Sequence, residues 1–588
     1  MRSGPSASTY VAPPGPTVQP RSPEPEQPAT PTSLARPRPG SLGGAPERRS
    51  RRRRLGNGRE SALLFLIFYA IYATVGCWLV LDKHVIVLDG ASRLAHAYFA
   101  WYSAPPKLAA IGFEWPPMMT LVLLPLAAIK PLATSFAALP LTSALFGAGI
   151  LVILNRILSS FAMRPLLRYP LVLLFGANPM IAFYATNGMA ESAYLFFLAA
   201  GVYFLLCWHR NGHSHVLGMA GAAMALAALS RYEMGVFAAV IGLGVLAILA
   251  QRRLSRQEVS GTLILYTAPI AYGVGAWCFF NWLIIGNPFN WLQHQLEANT
   301  SQQVAAQQAH VPMSLVQIAE KVLSLNAHLF PLTVVVVPAL LLAFVLRRDV
   351  MALILAALTS LNALTTIYLI NSSGNPGLFQ LRYNMRAIPL ALIGAGWLFW
   401  LLRDRIARGA IWAATLAVLV VGLPITWHTM AIYPWQFQEE VFLQTLKTGK
   451  DQGPTDSAAK LVSNFRAASD YVLAHVTRLK SILTDDAQTY GVMLTSGRPD
   501  LFYDRIDHGD KRWRRVLRSP YGKVEYVLVA GSSYDNIHAC YPRIFAATMP
   551  GMQLVYQNAD FKLLRVARHP PRNPIPPASS PRCPLSTG

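Results

Sequence analysis

From residue 61 to residue 428 the chain alternates apolar runs of bilayer-crossing length with short polar connectors. The runs lie at roughly 61–81, 117–158, 168–185, 191–208, 216–230, 234–250, 262–285, 328–346, 350–370, 384–402 and 409–428. About 20 apolar residues in a helix match the hydrocarbon core, and in lipid every backbone group must be satisfied within the segment. The pattern predicts a polytopic α-helical membrane protein with about 11–13 transmembrane helices. The stretch 117–158 exceeds one crossing, and a re-entrant segment near Lys130-Pro131 is one way to use the excess.

Charge fixes the expected sidedness. Basic connectors occur at Arg156 to Arg168, His209-Arg210, Arg252-Arg253, Arg347-Arg348 and Arg403 to Arg408. Placed in the cytoplasm, they put the alternate connectors outside. Those are the long outer loops 82–116 and 286–327, with 186–190, 231–233 and 371–383. An inside N-terminus and an outside C-terminus require an odd number of crossings. Within the first loop, Ser92 to Trp101 has the spacing of an amphipathic helix lying at the interface.

The ends differ from the middle. Residues 1–58 are rich in Pro, Ser, Gly and Arg without apolar periodicity, so a disordered basic cytoplasmic tail is expected. The membrane domain covers 59–430. Over 431–568 the composition becomes that of a small extracytoplasmic α/β domain, with a helix over 458–480 and strands near 481–484, 500–503, 526–529 and 561–566. Residues 569–588 are again Pro-rich and expected to be disordered.

With 53% hydrophobic and 13% charged residues, and mean hydropathy +0.34, the chain is unlike a soluble protein. The net charge of +23 would point to nucleic acid in a soluble chain. Here the excess sits in the tail and the short connectors, so its expected partners are membrane lipids and no nucleic acid. The cysteines show no CxxC or Cys/His spacing, though Cys540 and Cys583 are free to pair outside the membrane.

Four polar patches converge on the expected outer face. They are Asp89-Gly90 with Arg93 and His96, Asn187 to Glu191, Ser230 to Glu233, and Gln380 to Arg386. Ionisable residues at such depth are costly and mark a site. Asp89 reads as a general base or as a helix N-cap. Glu191 begins a span, where the helix dipole alone would favour it. Arg231 and Glu233 are close enough to pair locally. Arg382 and Arg386, four apart, suit an anionic lipid phosphate, against snorkelling to headgroups. The turn Ser372 to Gly377 would let backbone approach a ligand. Glu114 lines the site or stays hydrated.

In their order along 60–430, these patches resemble the GT-C superfamily of integral membrane glycosyltransferases. The likeness rests on Asp89 in a long first outer loop, Trp115-Pro116-Pro117 before the next span, Tyr184 to Glu191, and Arg382-Tyr383 followed by Pro389. Asn178-Pro179, Tyr184, Glu191-Ser192 and Ala228 to Arg231 resemble the GPI second-mannose transferase family. The Arg382-Tyr383 segment and the C-terminal region resemble the protein O-mannosyltransferase and aminoarabinose transferase group. The resemblance implies a GT-C-like fold and transfer of a sugar, mannose-like, from a polyprenyl-phosphate carrier to a lipid, glycan or protein acceptor on the outer face. It implies an inverting displacement with Asp89 as base, Glu191 as a second catalytic carboxylate, and Arg382, Arg386, Arg231, Glu233, Tyr184, Arg93 and His96 around the substrates. No metal ligand set is expected, although a divalent cation would be compatible; the first loop lacks a second carboxylate beside Asp89. The implied setting is a bacterial plasma membrane and cell envelope. The reading from a different class is a lipid or solute transporter, which would show internal repeats and midplane charges that this chain lacks.

Overall fold

The computed structural model describes residues 45–588 apart from 114, 294–312, 374–378, 435–437, 533, 547–548, 574, 580–582 and 586–588. Most of the basic tail, Glu114, and the 374–377 part of the turn before Arg382 therefore lie outside the described residues, as do His294 and Glu297 of the second loop. Of the unit ending at Gly56, only a helix over 45–56 is described. It falls within the stretch expected to lack structure, because Arg and Glu are good helix formers. The second unit, Asn57–Gly588, holds the bundle and the C-terminal domain.

Among the described residues, eight helices are long and apolar enough to cross a membrane. They are Gly58–Leu81 (α1), Ala138–Ser160 (α5), Glu191–Asn211 (α8), Met234–Gln251 (α10), Arg256–Ile285 (α11), Val350–Ser372 (α14), Leu381–Leu401 (whose regular part, Ala387–Leu401, is α15) and Arg405–Ile432 (α16). The pair Leu315–Leu329 (α12) and Leu332–Arg347 (α13) is bent by 105° at Phe330-Pro331. Three shorter apolar helices complete the set: Met118–Ala127 (α3), Pro165–Gly176 (α6) and Ser214–Ser230 (α9).

The excess in 117–158 is resolved by α3 and Lys130–Thr134 (α4). Both stay with the helix of the first loop, Leu88–Tyr102 (α2), and with the C-terminal domain. Trp101 Nε1 donates to Leu124 O at 2.8 Å and Tyr102 Oη to Ala128 O at 2.5 Å. Lys130 Nζ reaches Gly497 O of the C-terminal domain at 3.5 Å. From this stretch only α5 is long enough to cross by itself, and counting the bent pair as one span gives up to nine crossing helices among the described residues, with α3, α6 and α9 shorter.

Capping chemistry sets several boundaries. The span expected at 168–185 is broken after α6. Asn178 then caps Pro179–Tyr184 (α7), accepting from Met180 N at 3.1 Å and Ile181 N at 3.4 Å, with Pro179 at the first helical position. Ser255 with Glu258, and Ser314 with Gln317, form reciprocal capping boxes at the starts of α11 and α12.

Glu439–Thr448 (α17) leads from the last crossing to the C-terminal domain, which opens with Ser457–His475 (α18). A five-stranded sheet comes next, with Ile482–Leu483 (β1), Phe502–Tyr503 (β2), Tyr526–Ala530 (β3), Met552–Gln557 (β4) and Phe561–Val566 (β5) in the order β2-β1-β3-β5-β4. β1 pairs in parallel with β2 and β3, and β5 runs antiparallel to β3 and β4. The expected strands are present. β4 is the addition, and a register shift between Leu554 and Tyr556 interrupts the alternation of its apolar residues. The described part of 569–588 departs from expectation. Cys583 is buried and bonded to Cys540, and Arg514 Nη1 holds Pro584 O at 2.6 Å.

This domain is seated on the first loop. Tyr98 Oη donates to Gly497 O at 3.0 Å and Lys480 Nζ to Ala104 O at 3.1 Å. Lys107 Nζ donates to Ile506 O at 2.5 Å and Asp507 O at 3.1 Å. Below this seam Asp504 is almost fully buried, and burial, then Asp486 and Asp507, push its carboxyl well above the usual range.

Candidate active site

The polar patches meet at the end of the helix bundle that carries the C-terminal domain, and ion pairs join them. Asp89 lies in the first turn of α2. Val87 occupies the N-cap position, so the capping alternative for Asp89 does not describe its role. The first turn packs tightly: a Cβ on Gly90 would meet Asn187 O at 3.3 Å and Gly188 O at 3.4 Å. Gly188 has φ +78°, and a Cβ there would fall 2.5 Å from that of Leu139. Only glycine suits that position, and the turn it allows delivers Glu191 to the start of α8.

Arg382 Nη1 donates to Asp89 Oδ2 at 2.9 Å, joining residues 293 apart in sequence. Arg231 Nη1 donates to Glu191 Oε1 at 2.8 Å, and its Nη2 to Glu233 Oε1 at 3.1 Å. Arg386 Nη2 reaches the same Glu233 oxygen at 3.2 Å. The local Arg231–Glu233 pair is therefore one link of a network rather than its whole explanation. Burial resists ionisation of Glu233, yet Arg231 and Arg386 outweigh it and hold the carboxyl down at about 2. The ring of Tyr383 lies against both Arg231 and Arg382, 5.1 Å and 5.2 Å from their guanidinium carbons.

Arg93 is different. It is buried, yet its described polar contact is a weak one from Nη1 to Met189 Sδ at 3.9 Å, with the Trp115 ring at 5.1 Å. Among the described residues its Nε has no hydrogen-bond partner, and neither does Glu191 Oε2 or Arg386 Nε. Orphaned buried groups of this kind in one place mark where a ligand would bond. Burial lowers the affinity of Arg93 for its proton, opposed by Asp89 and Glu191, and the group stays cationic at any ordinary pH.

A cavity of about 70 Å³ opens between these groups, lined by Asp89, Arg93, Trp115, Arg231, Glu233 and Arg382 with Pro116, Met189, Ser230, Tyr232 and Tyr383. That is room for a few waters. Three guanidinium groups and two carboxylates line the cavity, leaving one positive charge, which matches a singly charged anion.

Two expected residues stand apart. His96 turns away: its Nδ1 lies 3.1 Å from Ala110 O, and its ring packs against Gly112 within the loop. Tyr184 is buried, but its hydroxyl donates to Glu439 Oε1 at 2.8 Å, away from the cavity lining. Met189 lay within the Asn187 to Glu191 patch; sequence reasoning missed Tyr194, whose ring lies 5.7 Å from the Arg231 guanidinium carbon, and Glu439, which accepts from Tyr184, because both act only through tertiary contact. Trp115 carried a signal, as the aromatic beside a proline pair at a span start. Among the described residues no three His, Cys, Asp or Glu side chains gather as a metal site. The site carboxylates are engaged by guanidinium groups, a donor set that does not fit a divalent cation.

No family model matches the chain, and no curated protein matches it. Among solved structures it is similar to ArnT from Cupriavidus metallidurans bound to undecaprenyl phosphate, with a TM-score of 0.52 at 13% identity, covering 85% of this chain and 97% of that one. The apo state of that ArnT also matches, at TM-score 0.49 and 13% identity, over 86% and 98% of the two chains. The first of these likenesses covers most of both chains and shows the fold: this is a multi-pass helical membrane protein with a small C-terminal sheet domain, folded like that ArnT.

Proposed function

We propose that this protein is a membrane glycosyltransferase that moves a sugar from a polyprenyl-phosphate carrier to the hydroxyl of a glycan, lipid or protein acceptor. The observation that carries the reading is the cavity in which Asp89, Arg93 and Arg382 meet. One carboxylate and two guanidinium groups share a space whose balance of charge leaves room for one anion. The likeness to an ArnT bound to undecaprenyl phosphate makes that lipid the first carrier to test.

The chemistry follows from the geometry. Arg93, lacking a carboxylate partner among the described residues, takes the carrier phosphate. Arg382 joins it once Asp89 is displaced, and both guanidinium groups meet the charge that grows on the departing lipid phosphate. Asp89, released, accepts the proton of the acceptor hydroxyl as that oxygen attacks the anomeric carbon from the opposite side, which inverts its configuration. Glu191 and Glu233 hold Arg231 and Arg386 in place around the cavity. In this arrangement Glu191 positions a cation rather than moving a proton. A mannose-like hexose is the first donor sugar to try.

The C-terminal domain is assigned to the outer side of a bacterial plasma membrane and the N-terminus to the cytoplasm. The Cys540–Cys583 bond supports this, since disulfides persist outside the reducing cytosol. A membrane-impermeant thiol reagent should label whole cells at these two cysteines only after reduction.

The deciding experiment is sugar transfer in proteoliposomes, comparing wild type with Asp89→Asn. We expect transfer to fall by about 10²- to 10⁴-fold while undecaprenyl phosphate binding persists. Equal transfer by both would remove Asp89 from the chemistry. Carrier binding with no transfer by wild type from any donor would favour a lipid transporter.

A further inference from the structure

We propose that Asn326, Asn362 and Asn384 act as one positioning unit that holds the turn carrying Arg382, and so set where its guanidinium points. The inference rests on the function proposed above. Arg382 sits on a four-residue 3₁₀ turn, Leu381–Asn384, which comes after 374–378 and precedes α15. A short 3₁₀ turn has poor internal hydrogen bonding and does not fix its own position. Something else must.

Three asparagines supply it, one each from α12, α14 and the turn, and all are buried. Asn362 Nδ2 donates to Asn326 Oδ1 at 2.8 Å and to the backbone Asn384 O at 3.2 Å. Asn326 Nδ2 donates to Asn384 Oδ1 at 3.0 Å and to Val322 O, in its own helix, at 2.8 Å. Asn384 Nδ2 closes the turn on Gln380 O at 3.4 Å. The bonds thus grip both the side chain and the backbone carbonyl of Asn384, two residues after Arg382. None of the three lines the cavity.

Burying three amides is costly unless they are matched, and apolar side chains would pack two helices at least as well. What the amides add is direction. Two of the bonds, to Asn384 Oδ1 and to Asn384 O, fix atoms of the turn relative to the two helices, and the Asn362–Asn326 bond ties those helices together. Misplacing a reacting group by about 1 Å can cost on the order of 10²-fold, so the Arg382 turn is where such fixing matters.

The test is a double-mutant cycle on carrier binding, with undecaprenyl phosphate as the probe and full-length protein in nanodiscs. Asn362→Leu should weaken binding about tenfold in the wild-type background and less than about twofold when Arg382→Ala is already present, because its effect passes through Arg382. A purely structural role would instead lower the melting temperature and weaken binding by the same factor in both backgrounds. That result, or unchanged binding, overturns the proposal. Should Asn362→Leu fail to fold, Asn362→Ser goes through the same cycle, with binding scored per folded molecule. Wild type that binds no carrier would overturn the proposed function and this inference with it. That failure appears before any variant is made, so the two are told apart.

Discussion

Arginine does different work at the two ends of this helix bundle. At the end carrying the C-terminal domain, Arg231, Arg382 and Arg386 pair with carboxylates around a cavity, and Arg93 stands beside them with only a thioether and a ring. At the opposite end, arginines bond the carbonyls that finish neighbouring helices. Arg210 donates to Ser160 O at 2.5 Å, Arg252 to His209 O at 2.7 Å and Arg408 to Leu402 O at 2.6 Å, while Arg347 takes Leu401 O. Those carbonyls are the orphans of a helix C-terminus, and the cation also meets the negative end of the dipole. The same side chain therefore signals a reaction centre only where a carboxylate meets it beside a cavity. Position in the sequence, next to a basic or an acidic patch, already separates the two uses.

The largest expected effect sharpens that contrast. Arg382→Ala should lower sugar transfer by about 10²- to 10³-fold, as for loss of a preorganised group facing developing charge. Arg210→Ala should leave transfer per folded molecule unchanged. Equal losses in a transfer assay would break the distinction between the ends. Next in size is Arg168, which joins α6 to Glu60 of α1 and to Asn155 at 2.8 Å. Arg168→Ala leaves a half-buried carboxylate without its cation and should cost about 1–3 kcal/mol of stability, read as a lower melting temperature with normal activity. Arg93→Ala should do the reverse. Undecaprenyl phosphate affinity should fall about tenfold with a weaker salt dependence, since a bond to a charged group is worth about 1.5–3 kcal/mol, while melting barely moves.

The smallest effect separates two carboxylates by pH. Glu233 is held below its ordinary value by two guanidinium groups, so its contribution to stability is present above about pH 4.5 and fades as pH falls toward 2. Asp504 lies above its ordinary value, so its contribution is present at acid pH and is lost as pH rises through the raised value. Hydrogen exchange of the β3 amides against pH reads the second effect, and Asp504→Asn should flatten it. An unchanged profile would place the titration elsewhere.

Much of this was legible because lipid makes apolar length and polar interruption strong signals. The crossings, the sheet strands with apolar cores, and the convergence of Asp89, Glu191, Arg231, Glu233 and Arg382 all come from pattern. The partners did not. Nothing in spacing says that Arg382 reaches Asp89, or that Arg386 turns to Glu233, because a helical register fixes faces and not which neighbour packs there. His96 shows the opposite error. It sits near Asp89 in sequence, but its place on α2 sends it to Ala110, away from the cavity. β4 was missed because the register shift between Leu554 and Tyr556 breaks the alternation of its apolar residues. The break after α6 was written in Asn178-Pro179, a capping signal overshadowed by the apolar run around it.

The Asp89–Arg382 bond also imposes an order on events. While the guanidinium is occupied by the carboxylate, neither group can face a substrate. Under the proposed function a lipid phosphate has to take that guanidinium before Asp89 can meet an acceptor, so the donor arrives first, and spent carrier, still bearing its phosphate, should compete with fresh donor for the same cation.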